Sequence, residues 1–393
     1  MRRILVAAAL AAGLVAAAPA AALGPEALAG DPLDRAAAIA LPSVYRLESE
    51  VEVEGLVTGL GNRIQLSDAA RIVTEVGTAF GVGEDGHLVA AAHVAFPDGE
   101  NLAVAALLTR EAEGGVVRTS AAVRSWVQAH RVRPTGARLV ALVARQADAG
   151  YGGGRGYPAL ISRLDRGSDL ALVRLPGAPG APVLPLATSA SAGTQVVTIG
   201  FGTGVRFTAA AHEAPAPAVQ KGVLGNSFRS TGPIVTGQVV TRVDTIARDG
   251  DSGGPAVDED GRARGVVLGR KDGRAFIMRS AEVVKLLTEA DVGADLGPVD
   301  RDYRRGLEQL WALDFPAARA SFAAALAAFP HHTLAGALRR RATELASADF
   351  EIAGRRRPQG FLLALGIVSA IAALACAFAL AGPALARVFR SDR

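Results

Sequence analysis

Polar and apolar positions follow two different periods along the chain, and the change of period divides it. From Pro42 to Ala281, short runs alternate between apolar and polar residues, and turns rich in glycine, aspartate and proline separate the runs. Alternation with a period of two is typical of antiparallel strands that bury one face. Beyond Ala281, the apolar residues recur at helical spacing instead. We therefore expect a mainly β domain followed by a small α-helical segment.

The β-like runs are short and follow one another without intervening helices, which favours a β-barrel or sandwich. The predicted strands are Val44–Glu54, Arg71–Phe80, His87–Ala91, Leu102–Leu108, Leu139–Ala144, Leu170–Leu175, Gln195–Ile199, Gly237–Val243, Arg264–Leu268 and Ala275–Met278. Two connections are long, namely Glu111–Thr135, which is mixed polar, and Ala149–Tyr157, which is glycine-rich. We expect both to be surface loops, a kind of loop that can also line a substrate groove.

The region after the strands is predicted to be helical in pieces. Val283–Leu287 fits a helix that closes the β domain, and residues 293–298 have the composition of a linker. The helical spacing over Tyr303–Ala328 breaks at Asp314-Phe315-Pro316, where Asp314 can cap the following helix and Pro316 suits its first turn. Thr333–Ser347 is a further helix. The predicted domains are therefore residues 42–290 for the β domain and residues 299–350 for the helical segment.

Both ends of the chain carry targeting or membrane signals. Arg2 and Arg3, the apolar stretch Ile4–Ala18 and the small residues up to Ala22 predict a signal peptide over residues 1–22. Residues 23–41 follow as a leader with little pattern.

Near the other end, Phe361–Ala381 provides about twenty apolar residues without a charge, enough for one transmembrane helix. A buried core helix is the alternative. Because residues that follow a signal peptide are exported, we expect an extracytoplasmic β domain and a cytoplasmic tail over residues 382–393. The other alternative is cytoplasmic residence with the N-terminal segment uncleaved.

Composition narrows the function classes only a little. The formal charge is +4 over 393 residues and the basic residues are scattered, which argues against nucleic-acid binding. Cys376 is the single cysteine, so an intramolecular disulfide is excluded. It lies in an apolar run without a polar activating group nearby, which favours a small hydrophobic role over a redox or catalytic one. Nothing in the sequence implies a metal or an organic cofactor.

One loop suits a nucleophile. Arg248-Asp249-Gly250-Asp251-Ser252-Gly253-Gly254-Pro255 places a serine between glycines, where the chain can turn sharply and point consecutive N–H groups into one small space. A surface turn is the alternative, since Asp-Gly and Ser-Gly pairs are common turn residues.

A serine nucleophile needs a histidine base that a carboxylate orients, and the chain offers candidates for both. His93 ends a small apolar strand, whereas most of the other histidines are in sequence surroundings typical of solvated surfaces. Asp169 directly precedes the alternating strand 170–175. Its competitor is Asp165, which stands between Arg163 and Arg166 and is more typical of a surface ion pair.

Four segments carry a resemblance to a known family. They are Gly77-Thr78-Ala79-Phe80, Ala91-Ala92-His93-Val94, Ser168-Asp169-Leu170-Ala171-Leu172 and Gly250-Asp251-Ser252-Gly253-Gly254-Pro255. In this order they resemble the trypsin-like (chymotrypsin-fold) serine proteases, and residues 77–93 are most similar to the disulfide-free, HtrA-like bacterial branch. The resemblance covers residues 42–287. It implies two antiparallel β-barrels with the site between them.

The resemblance also implies roles for single residues. Ser252 would be the nucleophile of an acyl-enzyme, His93 its base, and Asp169 the carboxylate that holds the imidazole. The backbone N–H groups of Gly250 and Ser252 would form the oxyanion hole.

The same family analogy outlines a specificity pocket. Its base would be Ile246, and its wall would consist of Val267, Leu268, Gly269 and Arg270. An apolar base suggests small or aliphatic substrate side chains, while Arg270 would favour an acidic side chain or obstruct the pocket.

Activation is the point on which the chain departs from the family pattern. Asp251 resembles the acid that pairs with a newly formed N-terminal ammonium in the animal-type enzymes, but its partner here is left open. Arg71-Ile72-Val73 superficially suggests an activation cleavage site. The strand predicted at the same position is the favoured interpretation.

The helical segment carries a second resemblance. Leu313–Pro330 is similar to the second half of a tetratricopeptide repeat, but a single unit buries little core. A spacer between domain and membrane is the favoured role, and a hairpin that docks a protein partner is the alternative.

The sequence as a whole predicts a membrane-anchored, extracytoplasmic serine endopeptidase that acts on a protein or peptide substrate and contacts the bilayer through its C-terminal helix. The alternative is a protease-fold binding or regulatory protein without useful turnover, which the unusual pocket at Ile246 and Arg270 motivates.

Overall fold

Two antiparallel β units and a set of helices make up the computed structural model, which describes residues 31–146, 156–189, 191–202, 217–231, 235–271 and 273–347. The strands are β1 (Val44–Val57), β2 (Arg63–Ile64), β3 (Ile72–Gly83), β4 (His87–Ala91), β5 (Arg133–Gln146), β6 (Gly156–Pro158), β7 (Leu160–Asp165), β8 (Leu170–Arg174), β9 (Gln195–Gly200), β10 (Ala218–Arg229), β11 (Val239–Ile246), β12 (Pro255–Asp258), β13 (Ala263–Lys271) and β14 (Arg274–Arg279). The helices are α1 (Pro32–Ala40), α2 (Asp68–Arg71), α3 (Ala92–Ala95), α4 (Gly99–Glu113), α5 (Ser120–His130), α6 (Ser280–Glu289), α7 (Pro298–Trp311), α8 (Phe315–Ala328) and α9 (Thr333–Ser347).

The first β unit is an eight-stranded sheet. Its strands follow the order β6-β5-β1-β3-β4-β8-β7, and β2 pairs with β1 beside this path. The long strand β1 buries Leu47, Val51 and Val53, as the alternation in its sequence predicts. The expectation of two barrels needs correction here, because the described strands of this unit form an open path with β6 and β7 at its ends.

The second β unit is a closed barrel with the order β10-β11-β14-β13-β12-β9. Its buried positions join those of the first unit in one hydrophobic cluster, in which Phe80 and Leu170 of the sheet belong with Ile199 and Met278 of the barrel. Because the apolar faces of both units meet in one core, the two units are held against each other, and the loops at their junction have a fixed position.

Between β4 and β5 the structure corrects two predictions. Leu102–Leu108, predicted as a strand, belongs to α4, and the predicted loop Glu111–Thr135 contains α5. Alanine-rich sequence favours a helix at α4, and its first turn is capped by Asp98, whose side chain accepts from the Asn101 amide. The apolar run is buried because α4 packs into a core with β1 and β3, which the sequence also allows for a strand.

The segment expected to be a patternless leader is partly structured. α1 begins after Asp31, whose side chain accepts from the Leu33 amide, and it buries Leu33, Ala36 and Ala40. Its alanines allow close packing against the barrel strands β9 and β12.

The C-terminal helices fall where the sequence predicts them. α8 begins after the break at Asp314, which caps it by accepting from the Ala317 amide, and α9 has the predicted bounds. The three helices α7, α8 and α9 surround their own core. They also contact the rest of the chain, since the Tyr303 hydroxyl donates to the carbonyl of Ala38 in α1 at 3.0 Å and Arg304 donates to the carbonyl of Gly261 at 3.0 Å.

The predicted signal peptide (1–22), transmembrane helix (361–381) and tail (382–393) lie outside the described residues. None of the helices within the described ranges combines the length and apolar character that a bilayer crossing requires.

Asp300 at the start of α7 joins the helical unit to the β domain. Its carboxylate accepts from the Val183 amide at 2.9 Å and from the Gly297 amide at 3.2 Å. Burial raises the pKa of this carboxyl to about 6, although the two amides favour its ionised form.

This pKa predicts a pH-dependent stability. Because the folded-state pKa lies above the unfolded value, the folded state binds more protons between about pH 4 and 6, and stability falls as the pH rises through that window. Asp300→Asn removes the effect. Relative to this variant, the wild type should lose about 2–3 kcal/mol of unfolding free energy from pH 4 to pH 7. Urea denaturation at several pH values measures the difference, and parallel curves for the two proteins would contradict it.

Candidate active site

Strand pairing brings His93 and Asp169 together. β4 and β8 are antiparallel neighbours in which Ala91 lies opposite Leu170, so the residues that follow β4 meet the residue that precedes β8. The His93 Nδ1 and Asp169 Oδ2 atoms are 2.7 Å apart, and the His93 backbone N–H donates to Asp169 Oδ1 at 2.9 Å. Both side chains are buried, at 6% and 4% exposure. The carboxylate thereby fixes the position of both the imidazole and its backbone.

The backbone around this pair is held in an unusual conformation. Asp169 has a φ of 55°, a left-handed value that is uncommon for a residue other than glycine, and its carbonyl accepts from the Ala92 amide at 2.9 Å. Ser49 of β1 secures the short helix α3 by donating to the Val94 carbonyl at 2.7 Å. The competing acid Asp165 instead accepts from Ser168 Oγ at 2.6 Å within its own turn. The structure thus brings His93 together with Asp169 and not with Asp165.

Ser252 lies in the loop between β11 and β12. Gly250 and Gly253 adopt φ values of 102° and 91°, so the serine stands between two left-handed positions that favour glycine. A Cβ on Gly253 would lie 1.9 Å from the Thr78 carbonyl oxygen, which excludes any other residue there. The glycines that suggested a nucleophile loop are required by this close approach of two backbones.

Thr78 of β3 is the residue that holds the loop from the other side. Its backbone N–H donates to the Ser252 carbonyl at 2.8 Å, and its hydroxyl donates to the Gly250 carbonyl at 2.7 Å. The same hydroxyl accepts from the Phe201 amide at 3.0 Å. Thr78 is fully buried, so two of these hydrogen bonds fix Gly250 and Ser252 of the barrel loop, and the third fixes Phe201 after β9, without competition from water.

Asp251 is held by its own loop. One carboxylate oxygen accepts from the Arg248 amide at 2.7 Å, and the other lies where a Cβ on Gly202 would be 2.4 Å away. Burial raises the pKa of this carboxyl, while the backbone N–H groups of Arg248 and Gly202 act in the opposite direction. Arg71-Ile72-Val73 continues from α2 into β3, where Val73 pairs with Val51, which confirms the strand interpretation of this segment.

The loop between β11 and β12 carries backbone N–H groups that are available to a ligand. Within the described part of the chain, the backbone N–H groups of Gly250 and Ser252 donate to no protein acceptor. The Ser252 hydroxyl donates to the Leu268 carbonyl of β13 at 3.2 Å, and in the described residues it forms no hydrogen bond with His93. A hydroxyl and two unused N–H groups therefore come from the same three residues.

All these groups open into one cleft of about 490 Å³. It is lined by the candidate residues His93, Asp169, Gly250 and Ser252, and by the charged or polar side chains Glu75, Asp98, Glu100, Asn101, Arg124, Gln128, Arg166, Asp249 and Arg270. Sequence analysis missed the part of this wall that α4 and α5 supply, where Glu100 Oε1 accepts from Arg124 at 2.6 Å. The signal that could have found it is the pair of helix caps at Asp98 and Thr119.

Only part of the predicted specificity pocket reaches the cleft. Leu268, Gly269 and Arg270 line it, and Arg270 extends toward the nucleophile loop, with its guanidinium 3.4 Å from the Ala247 carbonyl and 3.7 Å from the Asp249 carboxylate. Ile246 lies outside the cleft, 59% exposed at the end of β11 opposite Arg274. Val267 is buried in the barrel. The register of β11 thus turns Ile246, the predicted pocket base, to solvent outside this cleft.

Among the described residues, no three His, Cys, Asp or Glu side chains are grouped so that they could hold a metal ion. The chemistry that the described cleft offers is that of a hydroxyl, an imidazole–carboxylate pair and backbone donors.

The hydrogen bonds of Thr78 predict a measurable loss of stability when its hydroxyl is removed. Thr78→Val removes the hydroxyl and leaves the buried Gly250 carbonyl and Phe201 amide without their partner, so unfolding should become easier by about 1–3 kcal/mol. Thr78→Ser keeps the hydroxyl and should lose clearly less. Urea denaturation compares the variants, and equal stabilities for Val and Ser would show that the hydroxyl contributes nothing.

Comparison with known proteins agrees with this geometry. Residues 77–266, just under half of the chain, match the family model described as "Trypsin-like peptidase domain". Over 153 residues the chain is 34% identical to "Serine protease Rv3671c" of Mycobacterium tuberculosis (strain ATCC 25618 / H37Rv). This alignment covers 37% of the present chain and 36% of that relative's length.

Solved structures are also similar. The crystal structure of Rv3671c protease from M. tuberculosis in its active form aligns over 67% of this chain and 86% of that chain, with a TM-score of 0.41 and 19% identity. The HtrA-type protease AlgW with decapeptide aligns over 65% and 66% of the two chains, with a TM-score of 0.40 and 16% identity. The family match spans the Thr78, His93, Asp169 and Ser252 positions.

Proposed function

We propose that the protein is a serine endopeptidase that cleaves peptide bonds through an acyl-enzyme on Ser252. The observation that carries the proposal is the pairing of His93 with Asp169 at 2.7 Å in the same cleft as a serine on a glycine-framed loop. The family match over residues 77–266 supports it independently.

In this mechanism, His93 accepts the hydroxyl proton as Ser252 Oγ attacks the scissile carbonyl, and later returns that proton to the leaving amine. Asp169 holds the neutral imidazole with its proton on Nδ1, so that Nε2 is the basic atom, and it stabilises the imidazolium that forms. For the proton transfer, the hydroxyl has to turn from the Leu268 carbonyl toward His93. Hydrogen bonds of this kind are often absent until a substrate occupies the site.

The backbone N–H groups of Gly250 and Ser252 would stabilise the oxyanion of the tetrahedral intermediate. They already lack protein acceptors within the described residues, so no internal hydrogen bond has to break when the charge develops. Donors that are fixed in advance in this way contribute several kcal/mol to the stabilisation of a transition state, about 3–4 kcal/mol for one donor in comparable sites. Thr78 keeps them fixed, because it holds the carbonyls of the same two residues.

We also propose that the enzyme is exported and anchored in the membrane by a single C-terminal helix. The support is in the sequence alone, namely the signal-like residues 1–22 and the charge-free apolar residues 361–381. The catalytic domain would then act outside the cytoplasm on protein or peptide substrates, and residues 382–393 would be cytoplasmic.

A binding or regulatory protein with the protease fold is the second candidate. The observation that favours it is Arg270, whose side chain extends from the cleft wall toward Ala247 and Asp249 and thus occupies space that a substrate side chain would need. In that case the fold would bind a polypeptide without cleaving it.

A fluorophosphonate probe separates the two candidates. The protein should be labelled on Ser252, and Ser252→Ala should abolish labelling, because the probe reacts only with a hydroxyl that a base activates. Ser168→Ala, which changes a serine bound within its own turn, is the matched control and should leave labelling intact. Folded wild-type protein that is not labelled would favour the regulatory candidate.

The hydrogen bond between His93 and Asp169 makes a second prediction. Asp169→Asn keeps the shape of the side chain but stabilises the wrong imidazole tautomer, so kcat should fall by about 10³–10⁴-fold, as in the known serine proteases with this triad. KM should change much less, because the acid contacts His93 and not the substrate. Asp165, the competing acid, provides the control, since Asp165→Asn should leave kcat within a factor of a few of the wild-type value. Hydrolysis of a peptide ester or amide measures both constants, and a larger effect at Asp165 would contradict the assignment.

A further inference from the structure

We infer that an apolar cavity beside the catalytic cleft binds an apolar side chain of the peptide substrate and thereby sets the sequence preference. This inference rests on the proposed endopeptidase function. The cavity is an open depression of about 410 Å³ that solvent can enter freely.

The cavity is formed by the helical insertion that follows His93. Phe96 and Pro97 lie directly after the helix that carries the histidine, and Leu102 of α4 lies behind them. β5 supplies the opposite wall through Pro134 and Ala137. Most of the lining side chains are apolar and provide hydrocarbon contacts, while Asp98, Arg133 and Arg166 add charged groups to the lining.

Two residues connect this cavity to the catalytic cleft. Asp98 and Arg166 line both spaces, so the two are neighbours that share a rim. The Arg166 guanidinium lies 5.6 Å from the centre of the Phe96 ring, close enough for a cation–π contact that covers one face of the aromatic ring. A peptide in the cleft would pass this rim next to His93 and Asp169.

The different linings of the catalytic cleft and the apolar cavity indicate which kind of side chain the cavity binds. The cleft itself is lined by acids and arginines, whereas the adjoining cavity is apolar, so an extended peptide can place its backbone along the polar cleft and one side chain in the cavity. Burial of apolar surface from water stabilises such a side chain in proportion to its area. Leucine, methionine or phenylalanine fits this description.

Ala137 offers a way to fill the cavity. It is exposed on β5 and lines the cavity from the strand side, so Ala137→Trp would place an indole in the space that the substrate side chain needs. Val140 is the matched control. It is 46% exposed on the same strand but lies outside the cavity, so Val140→Trp adds the same ring elsewhere.

The measurement is the ratio of kcat/KM for two peptides that differ only in leucine versus alanine. The residue is moved along the positions on either side of the cleaved bond until the sensitive position is found. At that position the wild type and Val140→Trp should prefer leucine by about tenfold, the usual effect of one apolar pocket. Ala137→Trp should reduce the ratio to near one. A ratio within each protein does not depend on the amount that is correctly folded.

Other results would overturn the inference. An unchanged leucine preference in Ala137→Trp, with Ser252 still labelled by fluorophosphonate, would leave the proposed protease function standing and reject the role of the cavity. A wild type that neither cleaves peptides nor is labelled would reject both. If Ala137→Trp altered sedimentation of the protein and not the ratio, the cavity would contact a second copy of the chain instead of the substrate.

Discussion

The candidate site depends on one contact between the two β units, the set of hydrogen bonds that Thr78 makes across their junction. A serine nucleophile requires a loop with several residues in conformations that an isolated chain would not keep, and Gly250 and Gly253 supply the conformational freedom. The same conformational freedom would also let the loop adopt other backbone conformations. Thr78 restrains the loop by holding the carbonyls of Gly250 and Ser252, whose N–H groups have no acceptor among the described residues.

The imidazole side of the site is fixed by a different principle, the register of neighbouring strands. Because β4 and β8 pair with Ala91 opposite Leu170, the end of one strand and the start of the other place His93 and Asp169 in contact without any long loop. The shared core of the sheet and the barrel then brings these two halves of the site into one cleft. Asp251 adds a restraint from within its own loop, because its carboxylate accepts from the Arg248 amide at 2.7 Å.

Most of the strands and the candidate His93–Asp169 pair could be predicted from the sequence, but helices α4 and α5 and the contacts of Thr78 could not. Period-two alternation located most strands, and the small residues around His93 and the acid before strand 170–175 identified the pair that the structure joins. The prediction for the α4–α5 region was wrong, because residues 102–107 are all buried and such an apolar run shows no period. Ile246 was predicted as the pocket base by family analogy, and its solvent-facing position opposite Arg274 could not be derived from the sequence because it depends on the register of β11. In the sequence, Thr78 is only one residue of the motif at residues 77–80. Its contacts could not be predicted, because its three hydrogen-bond partners lie more than 120 residues away along the chain.

The amides of Gly250 and Ser252 and the His93–Asp169 pair should serve one nucleophile, and a crystal structure of the protein with a peptide boronic acid would show whether they do. We expect a covalent bond from Ser252 Oγ to boron, with one boron-bound oxygen about 2.7–3.1 Å from the backbone nitrogens of Gly250 and Ser252. A boronate bound elsewhere, or one on Ser252 whose oxygen contacts neither amide, would rule out this arrangement.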